Sequence, residues 1–131
     1  MAYAERTRTP IDKTRLEIER LVIGRGATAF GSFLELEKAT IAFRLQDRNI
    51  QFRLPLPAKM KDQAKMSLWR ALLLVIKAKL ESVDSGIETV EEAFLSHIVT
   101  PTGRTVMEEI REPLKLQYAG KNVPLLPGPT S

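Results

Sequence analysis

The residues of this 131-residue chain that are best suited to binding chemistry are three arginines within a stretch of alternating polar and apolar residues. Arg44, Arg48 and Arg53 lie in that stretch, and Phe33 lies shortly before them. Guanidinium groups bind phosphates, and an exposed aromatic ring that stacks on a nucleobase contributes roughly 1–3 kcal/mol. These residue types favour binding of single-stranded nucleic acid if they share one surface.

Three lysines follow the same stretch and add to its positive charge. Lys59, Lys61 and Lys65 lie where a helix is expected to begin, and the helix dipole disfavours cations at that end. Cations placed against this preference can mark an anion-binding site, and a solvated helix start is the alternative interpretation. The net charge of +4 permits an acidic partner without requiring one.

Catalytic and metal-binding patterns are few. The chain has no cysteine, which excludes disulfides, thiolate metal sites and cysteine nucleophiles, and its single histidine leaves little material for a zinc site or a Ser/His dyad. The acidic pairs Glu91-Glu92 and Glu108-Glu109 lie in the first turns of expected helices, where the helix dipole accounts for them. His97 lacks a third ligand at metal spacing and is expected to be a partly buried, hydrogen-bonded residue. We therefore predict no catalytic residues, no metal and no cofactor, and leave open whether the chain has an activity.

The period-two alternation from Ala29 to Leu56 predicts three antiparallel strands in a meander. Two-residue turns at Glu37-Lys38 and Asp47-Arg48 would pair Phe43 with Phe52 and would place the apolar side chains on one face.

The opposite face of this sheet is predicted to be polar and basic, with Phe33 beside Ala42. Such a face can bind nucleic acid, or it can be solvated or partly covered by a helix with Phe33 in a side core. The residues that the predicted register places on this polar face are Thr40, Ala42, Arg44, Gln46, Asn49, Gln51 and Arg53.

Helices are predicted on both sides of the strands. The first begins at Thr9-Pro10 and ends near residue 23. Met60–Val83 is predicted to be the core helix, because only a narrow strip of Arg70, Lys77 and Glu81 is charged on its helical wheel. Lys79 falls within the apolar arc and is expected to extend along it towards solvent.

The C-terminal part is predicted to form two shorter helices and a tail. Thr89 and Thr105 each begin a T-x-x-E pattern, which is typical of a helix start. Pro113 is expected to kink or break the second of these helices. Residues 120–131 are predicted to be an extended, proline-rich tail, and residues 1–8 are expected to be mobile.

These elements together predict an α+β fold and a single domain over residues 1–131. In this fold a three-stranded antiparallel meander packs on a long central helix, with an N-terminal helix, two shorter C-terminal helices and the tail. No apolar run reaches the roughly 18–20 residues that a membrane span requires. We therefore expect a cytoplasmic protein without a membrane partner.

The chain as a whole resembles a group of small uncharacterised proteins of bacteriophages, prophages and other mobile elements. Relatives in that group often have a longer polar insertion before Trp69-Arg70, which is short here. The resemblance implies an accessory protein working in the cytoplasm of a host bacterium, and it brings no established activity or catalytic residue. It spans about Ile11 to Gly128 and rests on Gly26-Ala27, Ile41-Ala42-Phe43, Phe52 to Pro57, Trp69 to Leu72, Ile76 to Glu81, Phe94-Leu95, His97 to Val99, Gly103 to Val106 and Leu125 to Gly128.

Two classes of function follow from the sequence. The first is a non-enzymatic protein that binds nucleic acid, with single-stranded DNA in phage replication or recombination as the expected ligand. The second is a protein-interaction module that binds or inhibits a host or phage protein, or a homo-oligomer in which the tail docks on a neighbouring copy. The predicted nucleic-acid site consists of Phe33, Arg44, Arg48, Arg53, Lys59, Lys61 and Lys65.

Overall fold

The three predicted strands form one antiparallel sheet, in which neighbours in space are also neighbours along the chain, so the predicted α+β meander is confirmed. The structure, a computed structural model, describes residues 2–126, with side chains from Pro10 onward. Its elements are α1 (Ala2–Gly24), β1 (Ala29–Glu35), β2 (Lys38–Leu45), β3 (Arg48–Pro55), α2 (Asp62–Asp84), α3 (Val90–Phe94), a 3₁₀ helix (Leu95–His97) and α4 (Val106–Tyr118).

Both strand turns lie one residue earlier than predicted. They consist of Leu36-Glu37 and Gln46-Asp47, and Phe43 therefore pairs with Ile50 instead of Phe52. Gln46 and Asp47 have positive φ angles of 48° and 62°. This conformation matches the right-handed twist of a two-residue hairpin, and the twist outweighs the absence of glycine. Moving a turn by one residue shifts the cross-strand partners by two residues. Each side chain therefore stays on its predicted face of the sheet, although the predicted pairing of Phe43 with Phe52 is wrong.

One hydrophobic core lies between the apolar face of the sheet and helices α1, α2 and α3. Ile18 and Val22 of α1 are fully buried in it. Phe94 of α3 packs edge-on against Phe43 and Phe52, with ring centroids 5.8 and 6.3 Å apart. Perpendicular aromatic contacts of this kind add to the free energy of simple burial. The residues that α2 buries are Trp69, Leu72, Leu73, Ile76 and Leu80.

The central helix α2 is confirmed, but its solvent-exposed face is wider than the predicted strip of Arg70, Lys77 and Glu81. Leu74 is 61% exposed and Val75 is 44% exposed. A three-stranded sheet with α1 and α3 covers only part of a helix circumference, so apolar side chains on the far side of α2 remain in contact with water.

Two helix boundaries differ from the sequence prediction. Helix α1 begins at Ala2 instead of Thr9 and includes Pro10. Helix α4 continues through Pro113, where a break was expected. A proline removes one backbone donor, and the flanking strong helix formers allow the helix to continue past it. The expected mobility of residues 1–8 stays a prediction.

The described part of the tail, residues 120–126, contains neither helix nor strand. Gln117 Nε2 of α4 donates a hydrogen bond to the carbonyl oxygen of Val123 at 2.7 Å. This bond holds the first half of the tail against the end of α4. Residues 127–131, which complete the predicted tail, lie outside the described residues.

Candidate nucleic-acid interface

The polar face of the sheet is built from cross-strand rows. Phe33 pairs with Thr40, and Thr40 pairs with Arg53, so the aromatic ring and this arginine share one row. The prediction that Phe33 lies beside Ala42 is wrong, because the earlier turn shifts β1 along β2. The next two rows are Gly31-Ala42-Gln51 and Ala29-Arg44-Asn49.

Phe33 is available for stacking because little of its ring is used in packing. The side chain is 64% exposed. A Cβ atom added at Gly31, on the same face, would lie 4.0 Å from the Phe33 ring. The ring therefore leans over a position without a side chain, and most of its surface stays in contact with solvent.

Arg53 is held by an acidic residue of α4. Its Nη1 atom lies 2.7 Å from Glu108 Oε2. The backbone N–H of Thr105 donates to Glu108 Oε1 at 2.9 Å. This hydrogen bond first, and the Arg53 side chain second, lower the pKa of Glu108 from 4.5 to about 2. Glu108 therefore stays ionised near neutral pH and competes with any phosphate for Arg53.

The other two predicted arginines also have partners within the chain. Arg48 Nη2 donates to Glu91 Oε1 at 3.1 Å. Arg44 donates to Asn49 Oδ1 at 3.2 Å and lies 3.5 Å from an oxygen of Asp47. All these pairs are partly exposed, so solvent weakens them and a phosphate can replace the acidic partner.

The three lysines are less restrained than the arginines. Lys59 and Lys61 are exposed and Lys65 is half-buried. None of the three forms an ion pair within the part of the chain that the structure describes. Within the described residues, no acidic side chain therefore competes with an anion for these three lysines.

The predicted site is divided between the two ends of the sheet. Pro55 pairs with Lys38 at the end where β3 leads to the three lysines, and the Phe33-Thr40-Arg53 row lies close to that end. Arg44 and Arg48 flank the turn at the opposite end. Phe33 and Arg53 thus lie near the end of the sheet from which the chain continues to the lysines, whereas Arg44 and Arg48 lie at the other end.

A shallow cleft of about 380 Å³ lies on the polar face between these ends. Gly31, which has no side chain, and Ala42 line it together with the amides of Asn49 and Gln51. Amides offer both donors and acceptors to a base edge. Val99 also lines the cleft, and sequence reasoning missed it because its segment joins the sheet only through long-range contacts.

Glu91 and Glu108 were expected only as residues that favour a helix start. Both T-x-x-E patterns do form capping boxes. The sequence carries no local signal that the two carboxylates also contact Arg48 and Arg53, because those contacts join elements that are far apart along the chain.

His97 serves packing, as expected. Its ring stacks on Phe52 with centroids 4.0 Å apart. Burial lowers the pKa of His97, the nearby Lys79 cation lowers it further, and a hydrogen bond to the backbone of Gln51 opposes both effects. Lys79 is half-buried, and its Nζ donates to the carbonyl oxygen of Ala93 at 2.9 Å.

Over the described residues, no three His, Asp or Glu side chains are grouped in a way that could hold a metal ion. Within the same part of the chain, no helix is long and apolar enough to cross a membrane. The chain matches no protein-family model, no curated protein and no solved structure. The resemblance to proteins of phages and mobile elements therefore stays a prediction.

Proposed function

We propose that this protein is a non-enzymatic accessory protein of a phage or mobile element that binds nucleic acid, with single-stranded DNA in replication or recombination as its ligand. The observation that carries the proposal is the position of Phe33. Its exposed ring shares a cross-strand row with Arg53, at the end of the sheet that leads to Lys59, Lys61 and Lys65, which form no ion pair with the described residues.

In this proposal Phe33 stacks on an unpaired base, while Lys59 and Lys61 contact the phosphates on either side. A base within a duplex has no free face for the ring, which favours a single strand. Asn49 and Gln51 border the neighbouring cleft and can bond a second base. Because amides and one ring tolerate every base, weak sequence preference is expected.

The lysines carry more of the proposed phosphate binding than the arginines do. A phosphate that binds Arg53 must displace or approach the ionised Glu108, whereas a phosphate that binds Lys59 or Lys61 displaces only water and counterions. Neutralising three phosphates on a single strand gives a slope of log K against log salt concentration of about −2.

The test is fluorescence anisotropy with labelled single-stranded and double-stranded DNA and RNA over a range of salt concentrations. The double variant Lys59→Ala/Lys61→Ala should reduce the magnitude of the salt slope by about 1.4. Arg44→Ala/Arg53→Ala should also weaken binding. Lys77→Ala is the matched control, because Lys77 is an exposed lysine that lies about 24 Å along α2 from Lys61.

The proposal fails if the protein binds none of these nucleic acids at low salt. It also fails if the two lysine substitutions have no more effect than the Lys77 control, or if Arg44→Ala/Arg53→Ala leaves affinity unchanged.

A second candidate function is a protein-interaction module that binds or inhibits a host protein. Exposed apolar side chains at the first hairpin favour it, since Leu34 is 78% exposed and Leu36 is 97% exposed. They line a groove of about 610 Å³ together with Trp69 and Leu56. An affinity capture from bacterial lysate, with and without nuclease, separates the two candidates, because only a protein partner survives nuclease treatment.

A further inference from the structure

Among the described residues, other parts of the chain cover one edge of the sheet but not the other. The outer edge of β3 is covered, since the Val99 N–H donates to the Asn49 carbonyl oxygen at 2.8 Å and Ile98 bridges to Ile50. The His97 ring also bonds the backbone of Gln51. No such cover lies on the outer edge of β1 among the described residues.

The backbone groups that β1 leaves unpaired can be identified from its turn. Glu35 and Lys38 close a two-residue turn, and the closing pair of such a turn exchanges both hydrogen bonds. Alternate residues then bond β2, so the backbone groups of Phe30, Ser32 and Leu34 point outward. None of the three has a backbone partner outside its own sheet within the described chain.

The sequence of β1 lacks the devices that usually protect an edge strand. It contains no lysine, arginine or proline, and its one charged residue, Glu35, is the last. Exposed edges of natural sheets normally carry such residues, because unpaired strands associate. The large side chains Phe33 and Leu34 are also exposed here. An edge whose one charge is at its end, and which exposes apolar side chains, is suited to pairing with another strand.

The best-fitting partner strand is β1 itself. The seven residues Ala29–Glu35 have Ser32 at their midpoint. In an antiparallel pair centred there, Phe30, Ser32 and Leu34 meet Leu34, Ser32 and Phe30 of the second copy, and all of them are residues with outward backbone groups. The register is therefore compatible with the free hydrogen-bonding groups on both strands at once.

The side chains fit this register on both faces of the sheet. On one face, exposed Leu34 lies opposite Phe30 of the second copy. On the other face, Phe33 lies opposite Gly31 of the second copy, and an aromatic side chain that covers an edge glycine stabilises strand pairing. Glu35 lies opposite Ala29, so no like charges face each other.

We propose that two copies of the chain dimerise through antiparallel pairing of β1 with β1 about a two-fold axis at Ser32. The two sheets then form one six-stranded sheet, and the two polar faces become continuous. This dimer does not require the proposed nucleic-acid binding, but Phe33 belongs to both surfaces, so the dimer is tested without nucleic acid.

The first test is sedimentation velocity of the full chain from about 1 to about 500 µM, a range that detects dissociation constants of ordinary strand-mediated dimers. The wild-type chain should dimerise with rising concentration. Leu34→Lys should raise the dissociation constant at least about tenfold, because it places a charge opposite an apolar side chain. Leu36→Lys is the matched control, since Leu36 is 97% exposed and lies outside the proposed register.

The second test reads the register directly. The chain has no cysteine, so Ser32→Cys introduces a single thiol at the two-fold axis, and a short bis-maleimide should cross-link it into a dimer. Glu35→Cys is the control, because in this register the two Glu35 positions are about 20 Å apart. Circular dichroism confirms that each variant is folded.

A chain that stays monomeric over the whole concentration range overturns the proposal. Equal dissociation constants for the two lysine variants, or cross-linking at Glu35 as efficient as at Ser32, overturn it as well.

Discussion

Arg53 Nη1 lies 2.7 Å from Glu108 Oε2, and this ion pair joins the last part of β3 to the first turn of α4. The other carboxylate oxygen of Glu108 accepts the backbone N–H of Thr105 and caps the helix. One side chain thus stabilises the start of α4 and also neutralises the arginine that shares a row with Phe33.

Glu108→Gln should strengthen nucleic-acid binding. Glutamine keeps an oxygen for the Thr105 N–H, as capping boxes allow, but it no longer competes with phosphate for Arg53. We expect affinity for single-stranded DNA to rise about 3–10-fold at low salt, and the salt slope to steepen by about 0.7. Fluorescence anisotropy measures both quantities.

The matched control for this variant is Glu112→Gln, which makes the same change of charge on an exposed residue of α4 that pairs with Lys115. An equal gain of affinity in the two variants would show that net charge is responsible instead of the release of Arg53.

The same carboxylate predicts a loss of stability in acid. The pKa of Glu108 is about 2 in the folded chain, against an ordinary value of 4.5. Since the folded-state pKa is lowered, the stabilisation is fully present above about pH 4.5 and is lost as the pH falls towards 2. Urea unfolding at about pH 5 and about pH 3 should show a smaller loss for Glu108→Gln than for the wild-type chain. An unchanged loss in this variant would contradict the assignment.

Local periodicity in the sequence was enough to predict the strands and both capping boxes. The alternation from Ala29 to Leu56 depends only on neighbouring residues, and it defines the polar face whatever the turn position. The T-x-x-E patterns at Thr89 and Thr105 are equally local. These features could be predicted because the physical interactions that produce them act within a few residues.

The partners of the predicted site residues could not be derived in this way. The pairing of Arg53 with Glu108, and the cover that Val99 provides for β3, depend on how distant elements pack. The one-residue error at Gln46-Asp47 has another cause, because turn position depends on backbone twist, and neither residue is the glycine that usually reveals it.

Phe33→Ala should reduce affinity for single-stranded DNA by about 5–150-fold, which corresponds to the roughly 1–3 kcal/mol of one stacking contact. The salt slope should stay unchanged, since no charge is removed. Phe33→Tyr should keep most of the affinity.

Leu36→Ala is the control for Phe33→Ala, because it removes an exposed apolar side chain from the adjoining turn. Anisotropy should be measured below the concentration at which the wild-type chain self-associates. Equal losses for Phe33→Ala and Leu36→Ala would exclude stacking.

The positive φ angle of Gln46 predicts a stabilising substitution. Asparagine tolerates the left-handed region better than glutamine does and is preferred at the first position of this turn. Gln46→Asn should raise the free energy of unfolding by about 0.5–1 kcal/mol. Leu36→Asn, at the first position of the other turn, lacks a positive φ and should give no gain. Urea denaturation checks both variants, and a gain at Leu36 as large as that at Gln46 would contradict the prediction.

His97 predicts a second and separate pH dependence, near neutrality. Burial first and the Lys79 cation second lower its pKa below 6.5, while the bond to the Gln51 backbone opposes them. Because the folded-state pKa is lowered, the unfolded chain binds the proton more readily, and stability is lost as the pH falls below about 6.5. His97→Phe keeps a ring that can stack on Phe52 and removes the titrating group.

The wild-type chain should therefore lose stability between about pH 7.5 and about pH 5.5, and His97→Phe should lose much less over the same interval. The single tryptophan, Trp69, is buried in the core, so its fluorescence during urea denaturation reports unfolding at each pH. Glu108 does not contribute in this interval, since its titration lies at lower pH. If His97→Phe retains the full pH dependence, another group is responsible and the assignment to His97 is wrong.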